Sequence, residues 1–206
     1  NMSIVYAIPT YKRYDIIQSK TLSLLLYYDI PKKDIFIFVA SKKELELYKE
    51  ILGDEYKIVV GVLYLSQQRN FINNYFKIGQ KIVFIDDDID DITELSTPKL
   101  KRLPNLKKFV NDAFQECKEN NAYLWGIYPV NNHYFMRRVI TKDLRLLVGG
   151  FFGIINRKSN DLKLWLEEKE DSLRTLQYFK KDGVVIRYNY IGIKTKNYAK
   201  GGMSAD

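Results

Sequence analysis

Residues 81–88 read KIVFIDDD, a short apolar run that passes directly into Asp86, Asp87 and Asp88. A run of this length bounded by polar residues is typical of a strand that is buried on both faces. Three adjacent carboxylates repel one another unless something positive lies between them. We therefore predict a strand over residues 81–85 and take the aspartates at its end as the principal candidate for a functional site.

Upstream of this run, apolar stretches alternate with helical patterns. Ser41 followed by Glu44 has the spacing of a capping box, and Gly53 marks the end of that helix. Such alternation is typical of an open, mostly parallel sheet with helices on both faces, so we predict an α/β, Rossmann-like fold. The predicted strands lie at 4–8, 35–39 and 58–60, and the predicted helices at 16–28, 41–52 and 66–76.

The second half of the chain is less regular. We expect helices over 104–120 and within 161–181, strands over 123–128 and 184–190, and a glycine-broken apolar stretch over 146–155. Nothing in the pattern marks a linker, so we predict one domain over residues 1–206. The chain ends abruptly after Gly201 and Gly202, which is compatible with a fragment of a longer protein.

Composition narrows the class of protein. The chain has 206 residues, 46% of them hydrophobic, and no apolar run approaches the roughly 18–20 residues that span a bilayer. Cys117 is the only cysteine, so an internal disulfide and a cysteine-based metal cluster are excluded, and a reducing, cytoplasmic setting is expected. The net charge of +8 favours anionic partners, which include nucleotide phosphates, nucleic acid and membrane surfaces.

The aspartates have a specific chemical interpretation. In an open parallel sheet, ligands bind at the carboxyl ends of the strands. Asp86 and Asp88 are two residues apart, so in an extended segment both would face one Mg²⁺ or Mn²⁺ ion, which in turn would hold a diphosphate. The alternative is an acidic loop or helix N-cap that Asp90 and Asp91 extend.

Two further segments suit a nucleotide. After the first strand, the Thr10 hydroxyl, the Tyr11 ring and the Arg13 cation stand together behind Pro9, although an ordinary turn with solvated charges has the same composition. Arg69 opens the helix before the acidic strand, and its planar guanidinium fits a phosphate. A solvated helical arginine is the alternative.

The late carboxylates Glu170 and Asp171 are candidates for a general base that deprotonates an acceptor hydroxyl. A charged helix face is the alternative, because other charged residues precede them. Gly150 allows close backbone approach to a ligand, or marks a bulged strand. The basic tail, with Lys194, Lys196 and Lys200, is a further candidate to close on a diphosphate.

Taken in order, these segments resemble the GT-A glycosyltransferases, from Ser3 to about Ile193. The resemblance implies a nucleotide-binding half over about 3–92, an acceptor-side half over about 93–206, and inverting, metal-dependent sugar transfer with Mn²⁺ or Mg²⁺. Residues 86–88 then correspond to the DXD motif, with Asp86 and Asp88 on the metal, and Asp171 or Glu170 is the base. The implied donor-binding residues are Pro9, Thr10, Tyr11, Arg13, Arg69, Asp86, Asp87 and Gly150.

More narrowly, the sequence resembles the N-terminal glycosyltransferase domain of a chlorella virus protein that builds capsid glycans. That resemblance implies a UDP-sugar donor, either UDP-L-rhamnose or UDP-glucose, a glycan acceptor on a viral capsid protein, and the host cytoplasm. Residues 68–72 and 85–89 are also similar to phage glycosyltransferases that act on modified DNA bases. A nucleic-acid-binding domain, a nucleotidyltransferase or phosphotransferase, and a non-catalytic sugar-binding module remain alternatives.

Overall fold

The computed structural model describes residues 3–196, which contain an eight-stranded sheet and a three-stranded sheet. The helices are α1 (Tyr14–Ile17), α2 (Ser23–Tyr27), α3 (Lys42–Leu52), α4 (Leu65–Tyr75), α5 (Leu106–Glu119) and α6 (Glu170–Asp182). The strands are β1 (Val5–Pro9), β2 (Ile35–Val39), β3 (Lys57–Val60), β4 (Lys81–Ile85), β5 (Ile89–Ser96), β6 (Lys99–Arg102), β7 (Leu124–Ile127), β8 (Ile140–Thr141), β9 (Phe151–Ile155), β10 (Ile186–Tyr188) and β11 (Ile191–Thr195).

The large sheet has the strand order β3-β2-β1-β4-β9-β7-β10-β8. Strand β9 pairs antiparallel with both β4 and β7, β8 pairs antiparallel with β10, and the other pairings are parallel. This arrangement confirms the predicted α/β class with a mostly parallel sheet. The carboxyl ends of β1 and β4 and the amino end of β9 therefore meet at one edge, which we call the upper edge.

Packing against both faces explains the nearly continuous apolar strands. Every residue of β1 and β2 is buried, and the two hydrophobic clusters of the core lie on opposite faces of the sheet. On one face the rings of Phe84 and Phe152 stack across neighbouring strands with centroids 4.8 Å apart. Cys117 is buried within the other cluster. Each such apolar side chain stabilises the fold by about 1.5–3 kcal/mol.

The acidic segment continues differently from the prediction. Asp86, Asp87 and Asp88 form a turn that leads straight into β5, so Asp90 and Asp91 lie in a strand and not in a loop or helix cap. Strand β5 pairs antiparallel with β6 and β11 in the small sheet. Sequence pattern missed these strands because polar residues interrupt their apolar positions. The apolar side chains of β5, Ile89 and Ile92, are buried in the same hydrophobic cluster as Leu22 and Leu25. This burial comes from tertiary packing and not from the local sequence pattern.

Two predicted elements differ in the structure. The strand expected over 184–190 is shorter, as β10, and the chain then enters β11, which was not predicted and belongs to the other sheet. The helical material over 161–181 becomes a 3₁₀ turn, Asn160–Leu162, and α6; the chain leaves the 3₁₀ turn with Lys163 extended and enters α6 after Lys169, whose backbone is left-handed with φ of 56°. Strand β5 crosses the expected boundary near residue 92, and the large sheet takes strands from both predicted halves.

The first predicted helix contains an irregular turn. Between α1 and α2, residues Gln18–Leu22 form a π-helix, which directs Thr21 into the protein. Single π turns widen a helix locally and are often found at functional sites. None of the helices within residues 3–196 has the length and apolar character needed to cross a membrane.

Candidate active site

The acidic turn lies at the upper edge, beside the amino end of β9. The Asp86 amide donates to the Gly150 carbonyl oxygen over 3.0 Å, so backbone pairing extends beyond the end of β4. A Cβ atom on Gly150 would lie 2.6 Å from the Ile193 Cδ1 atom and 3.6 Å from Asp86 Oδ2. Glycine at this position therefore permits close approach to the Ile193 side chain and to the acidic turn, whereas the predicted contact of Gly150 with a ligand stays a prediction.

Asp87 faces into the protein. Its carboxylate accepts a 2.8 Å hydrogen bond from the Thr10 hydroxyl and a 3.2 Å bond from Arg13 Nη1. The Thr10 hydroxyl is also 2.8 Å from the Tyr48 hydroxyl, which in turn accepts from the Arg13 amide. Burial raises the pKa of Asp87 to about 6, although the bonds from Thr10 and Arg13 lower it. Asp87 thus ties the loop after β1 to the acidic turn.

This network bears on the predicted donor-binding residues. The Thr10 side chain is 1% exposed and its hydroxyl already has two partners, while Pro9 is buried within β1. The geometry disfavours direct contact of Thr10, Pro9 or Asp87 with a ligand and favours a supporting role for all three. Tyr11 and Arg13 remain partly exposed at the upper edge.

Asp88 also faces Arg13, but from the outer side of the turn. Its Oδ2 atom lies 3.5 Å from Arg13 Nη1, and 19% of the Asp88 side chain is exposed. Burial raises the pKa of Asp88, and Arg13 opposes that rise. Asp88 is therefore a partly accessible carboxylate that faces Arg13 and keeps an exposed side that a ligand can reach.

Asp86 is the most exposed of the three, with 37% of its side chain accessible. Its surroundings still raise its pKa to about 7, mainly through desolvation, with Asp88 and Asp87 adding repulsion and Arg69 opposing both. Arg69 Nη2 lies 3.5 Å from Asp86 Oδ1 and donates to the Gly149 carbonyl over 3.0 Å. Arg69 is thus the cation that opposes the raised pKa of Asp86.

Behind Arg69 lies a buried ion cluster that the sequence did not predict as a unit. Glu170 accepts a hydrogen bond from Arg174 Nη1, and its Oε2 atom is 3.3 Å from Arg69 Nε. The two guanidinium groups lie over the Phe152 ring at 5.2 and 3.8 Å from its centroid. Burial raises the pKa of Glu170, but Arg69 and Arg174 outweigh it and lower the pKa overall.

The two late acids therefore occupy different surroundings. Glu170 is buried and engaged by two cations, which suits a positioning role and disfavours proton abstraction. Asp171 is partly exposed in the first turn of α6, and its Oδ1 atom accepts from the Ser172 amide over 2.8 Å. Of the two predicted bases, Asp171 has the geometry that better fits an acid–base role.

Several supporting residues escaped the sequence interpretation. Tyr48 and Glu44 on α3 hold the loop after β1, with Glu44 Oε1 accepting from the Lys12 amide over 2.7 Å. Arg174 completes the ion cluster. Of these residues, only Glu44 carried a signal in the sequence, as part of a capping box. The Ser41 hydroxyl does accept a hydrogen bond from the Glu44 amide, as predicted. Of the predicted basic tail, Lys194 and Lys196 are exposed, and Lys200 lies outside the described residues.

The donor set suits a hard divalent cation. Asp86 and Asp88 offer carboxylate oxygens, the ligands that Mg²⁺ and Mn²⁺ prefer, and burial, together with repulsion from neighbouring carboxylates, raises the pKa of both groups. Among residues 3–196, no group of three or more His, Cys, Asp and Glu side chains is arranged to hold a metal ion. Two carboxylates fit such an ion when diphosphate and water complete its coordination.

Comparisons with known proteins agree with this architecture. A solved structure from Desulfovibrio desulfuricans G20, described provisionally as a nucleotide-diphospho-sugar transferase, superposes with a TM-score of 0.55 and 11% identity. The match covers 91% of this chain and 80% of that one. The two proteins share a fold. No protein-family model and no curated protein matches the sequence, so roles at the site are argued from its own side chains.

Proposed function

We propose that the protein is a metal-dependent glycosyltransferase that uses a nucleoside-diphosphate sugar. The observation that carries the proposal is that Asp88 faces Arg13 and Asp86 faces Arg69 in one acidic turn at the upper edge, on a fold shared with a protein described provisionally as a nucleotide-diphospho-sugar transferase. Carboxylates flanked by arginines suit a ligand that contains both a divalent cation and phosphates. A simple cation site would not need the arginines.

The residues have separable roles in this proposal. Asp86 and Asp88 hold Mn²⁺ or Mg²⁺, which supplies Lewis-acid stabilisation of the departing diphosphate. Arg13 and Tyr11 bind the nucleoside part of the donor, and Arg69 adds positive charge beside the phosphates. Asp171 accepts the proton of the attacking hydroxyl, which forms the new glycosidic bond with inversion as the bond to diphosphate breaks.

The finer assignments rest on sequence resemblance alone. It favours a UDP-sugar, with UDP-L-rhamnose and UDP-glucose as the first donors to test. It also favours a glycan on a viral capsid protein as the acceptor.

A thermal-shift experiment with Asp88→Ala tests the central proposal. UDP, GDP, TDP and ADP are each added with and without Mn²⁺ to the wild type, to Asp88→Ala and to the control Asp112→Ala. Asp112 is a matched carboxylate on α5, with a 59% exposed side chain that pairs with Lys108. We expect one diphosphate to stabilise the wild type and the control only when Mn²⁺ is present.

Asp88→Ala should lose both that stabilisation and turnover of the corresponding nucleotide sugar. If Asp88→Ala keeps metal-dependent stabilisation equal to that of the control, the metal assignment is wrong. If no nucleoside diphosphate stabilises the wild type with either Mn²⁺ or Mg²⁺, the protein does not bind such a donor and the proposed function fails.

A further inference from the structure

The π turn in the first helix brings Thr21 beneath the acidic turn. Thr21 is fully buried, and its hydroxyl makes two hydrogen bonds to the backbone of the segment that carries the aspartates. It donates to the Asp86 carbonyl oxygen and accepts from the Ile89 amide over 3.0 Å. One side chain therefore bridges the first residue of the acidic turn and the first residue of β5.

No other element provides these bonds in the described structure. The Asp86 amide bonds to Gly150, whereas the Asp86 carbonyl faces the helix and meets Thr21. The turn connects strands of two different sheets, and its Asp86 carbonyl and the Ile89 amide that follows it both have the Thr21 side chain as a partner. Buried backbone groups need partners, and the Thr21 hydroxyl satisfies one acceptor and one donor at the same time.

The π turn explains how a helical residue reaches this position. A five-residue π segment, Gln18–Leu22, lies between two α-helical segments, and Thr21 is within it. The adjacent Lys20 forms an ion pair with Asp90 Oδ1 on β5. Two consecutive residues of the widened turn therefore hold the chain on the far side of Asp88.

We infer that Thr21 is a positioning residue that sets the conformation in which Asp86 and Asp88 present their carboxylates to the same ligand. The inference rests on the proposed function, because it assigns Thr21 a part in binding the metal–diphosphate group. Thr21 itself is buried and does not touch the ligand. Its hydroxyl acts through the backbone of the turn. A side chain of the same shape that lacks the hydroxyl should therefore not hold the turn in this conformation.

Thr21→Val tests this inference because valine keeps the branched shape and lacks the hydrogen-bonding hydroxyl. Binding of UDP with Mn²⁺ is measured by calorimetry for the wild type, Thr21→Val and Thr21→Ser. Loss of the two bonds should weaken binding about ten- to hundredfold in Thr21→Val. Thr21→Ser, which restores the hydroxyl, should bind within about threefold of the wild type.

Tyr28→Phe is the matched control for general destabilisation. The buried Tyr28 hydroxyl donates to the Leu103 carbonyl over 2.7 Å at the end of the same helical stretch, remote in sequence from the aspartates. This variant should lose stability comparable to that lost by Thr21→Val while binding UDP and Mn²⁺ as the wild type does. Equal weakening in both variants would mean that Thr21 acts only through stability, and would overturn the inference.

Amide hydrogen exchange provides a readout that does not depend on nucleotide binding. In Thr21→Val the Ile89 amide should exchange at least tenfold faster than in the wild type, and in Tyr28→Phe it should not. Unchanged exchange at Ile89 in Thr21→Val overturns the inference even if UDP binds. Absence of UDP binding in the wild type, with Ile89 exchange accelerated as expected, would count against the proposed function and leave the positioning of the turn by Thr21 intact.

Discussion

Replacing Glu170 with glutamine should destabilise the protein much more than the same change in charge at Asp171. Glu170 is buried and lies against Arg69 and Arg174, so the substitution leaves two buried guanidinium groups without their shared carboxylate. Breaking a buried ion pair from one side costs about 3–5 kcal/mol. We expect about 3 kcal/mol, because the amide oxygen of the variant still accepts a hydrogen bond.

Urea denaturation and thermal unfolding of Glu170→Gln, Asp171→Asn and the wild type measure this effect. For a chain of this size, about 3 kcal/mol corresponds to a lowering of Tm by about 6–12 °C. Asp171→Asn removes a carboxylate from the next residue of the same helix turn, outside the ion cluster, and should change stability by less than about 0.5 kcal/mol.

The pH dependence of Glu170→Gln follows from the lowered pKa of Glu170. Since the folded-state pKa lies below the ordinary value of 4.5, the ionised carboxylate stabilises the protein fully above that value. The stability difference between wild type and Glu170→Gln should therefore be largest near neutrality and shrink as the pH falls through the folded-state pKa. A loss below about 1 kcal/mol at neutral pH would refute the reasoning, because the two arginines would then not depend on Glu170.

Three further predictions concern the carboxylates of the site. Because the pKa of Asp86 is raised to about 7, and a metal must displace its proton, Mn²⁺-dependent nucleotide binding should strengthen as the pH rises through about 7. Without metal, the same shift should make the free energy of unfolding decrease from about pH 4 towards pH 7, and Asp86→Asn should make that decrease smaller without removing it, because the pKa values of Asp87 and Asp88 are also raised. If Asp171 is the base, Asp171→Asn should lower kcat by about 10²–10⁴-fold with nucleotide affinity unchanged, as steady-state kinetics and calorimetry will show. Weaker nucleotide binding with normal kcat would contradict that role.

The alternation of apolar runs and helical patterns was sufficient to predict the α/β class and the mostly parallel sheet. It also placed Asp86, Asp87 and Asp88 at the carboxyl end of a buried strand, because a strand buried on both faces requires an apolar run that ends at the sheet edge. These are local consequences of periodicity and burial. They do not depend on which distant residues come into contact.

Tertiary structure alone decided how the site is built. The aspartates form a turn and not an extended segment, so Asp87 faces Thr10 while Asp86 and Asp88 face outward. Arg69 meets Glu170 from the other half of the chain, and Thr21 reaches the acidic turn through a π turn. Sequence spacing does not specify these contacts, because they depend on strand order, on helix packing and on which buried groups remain to be paired.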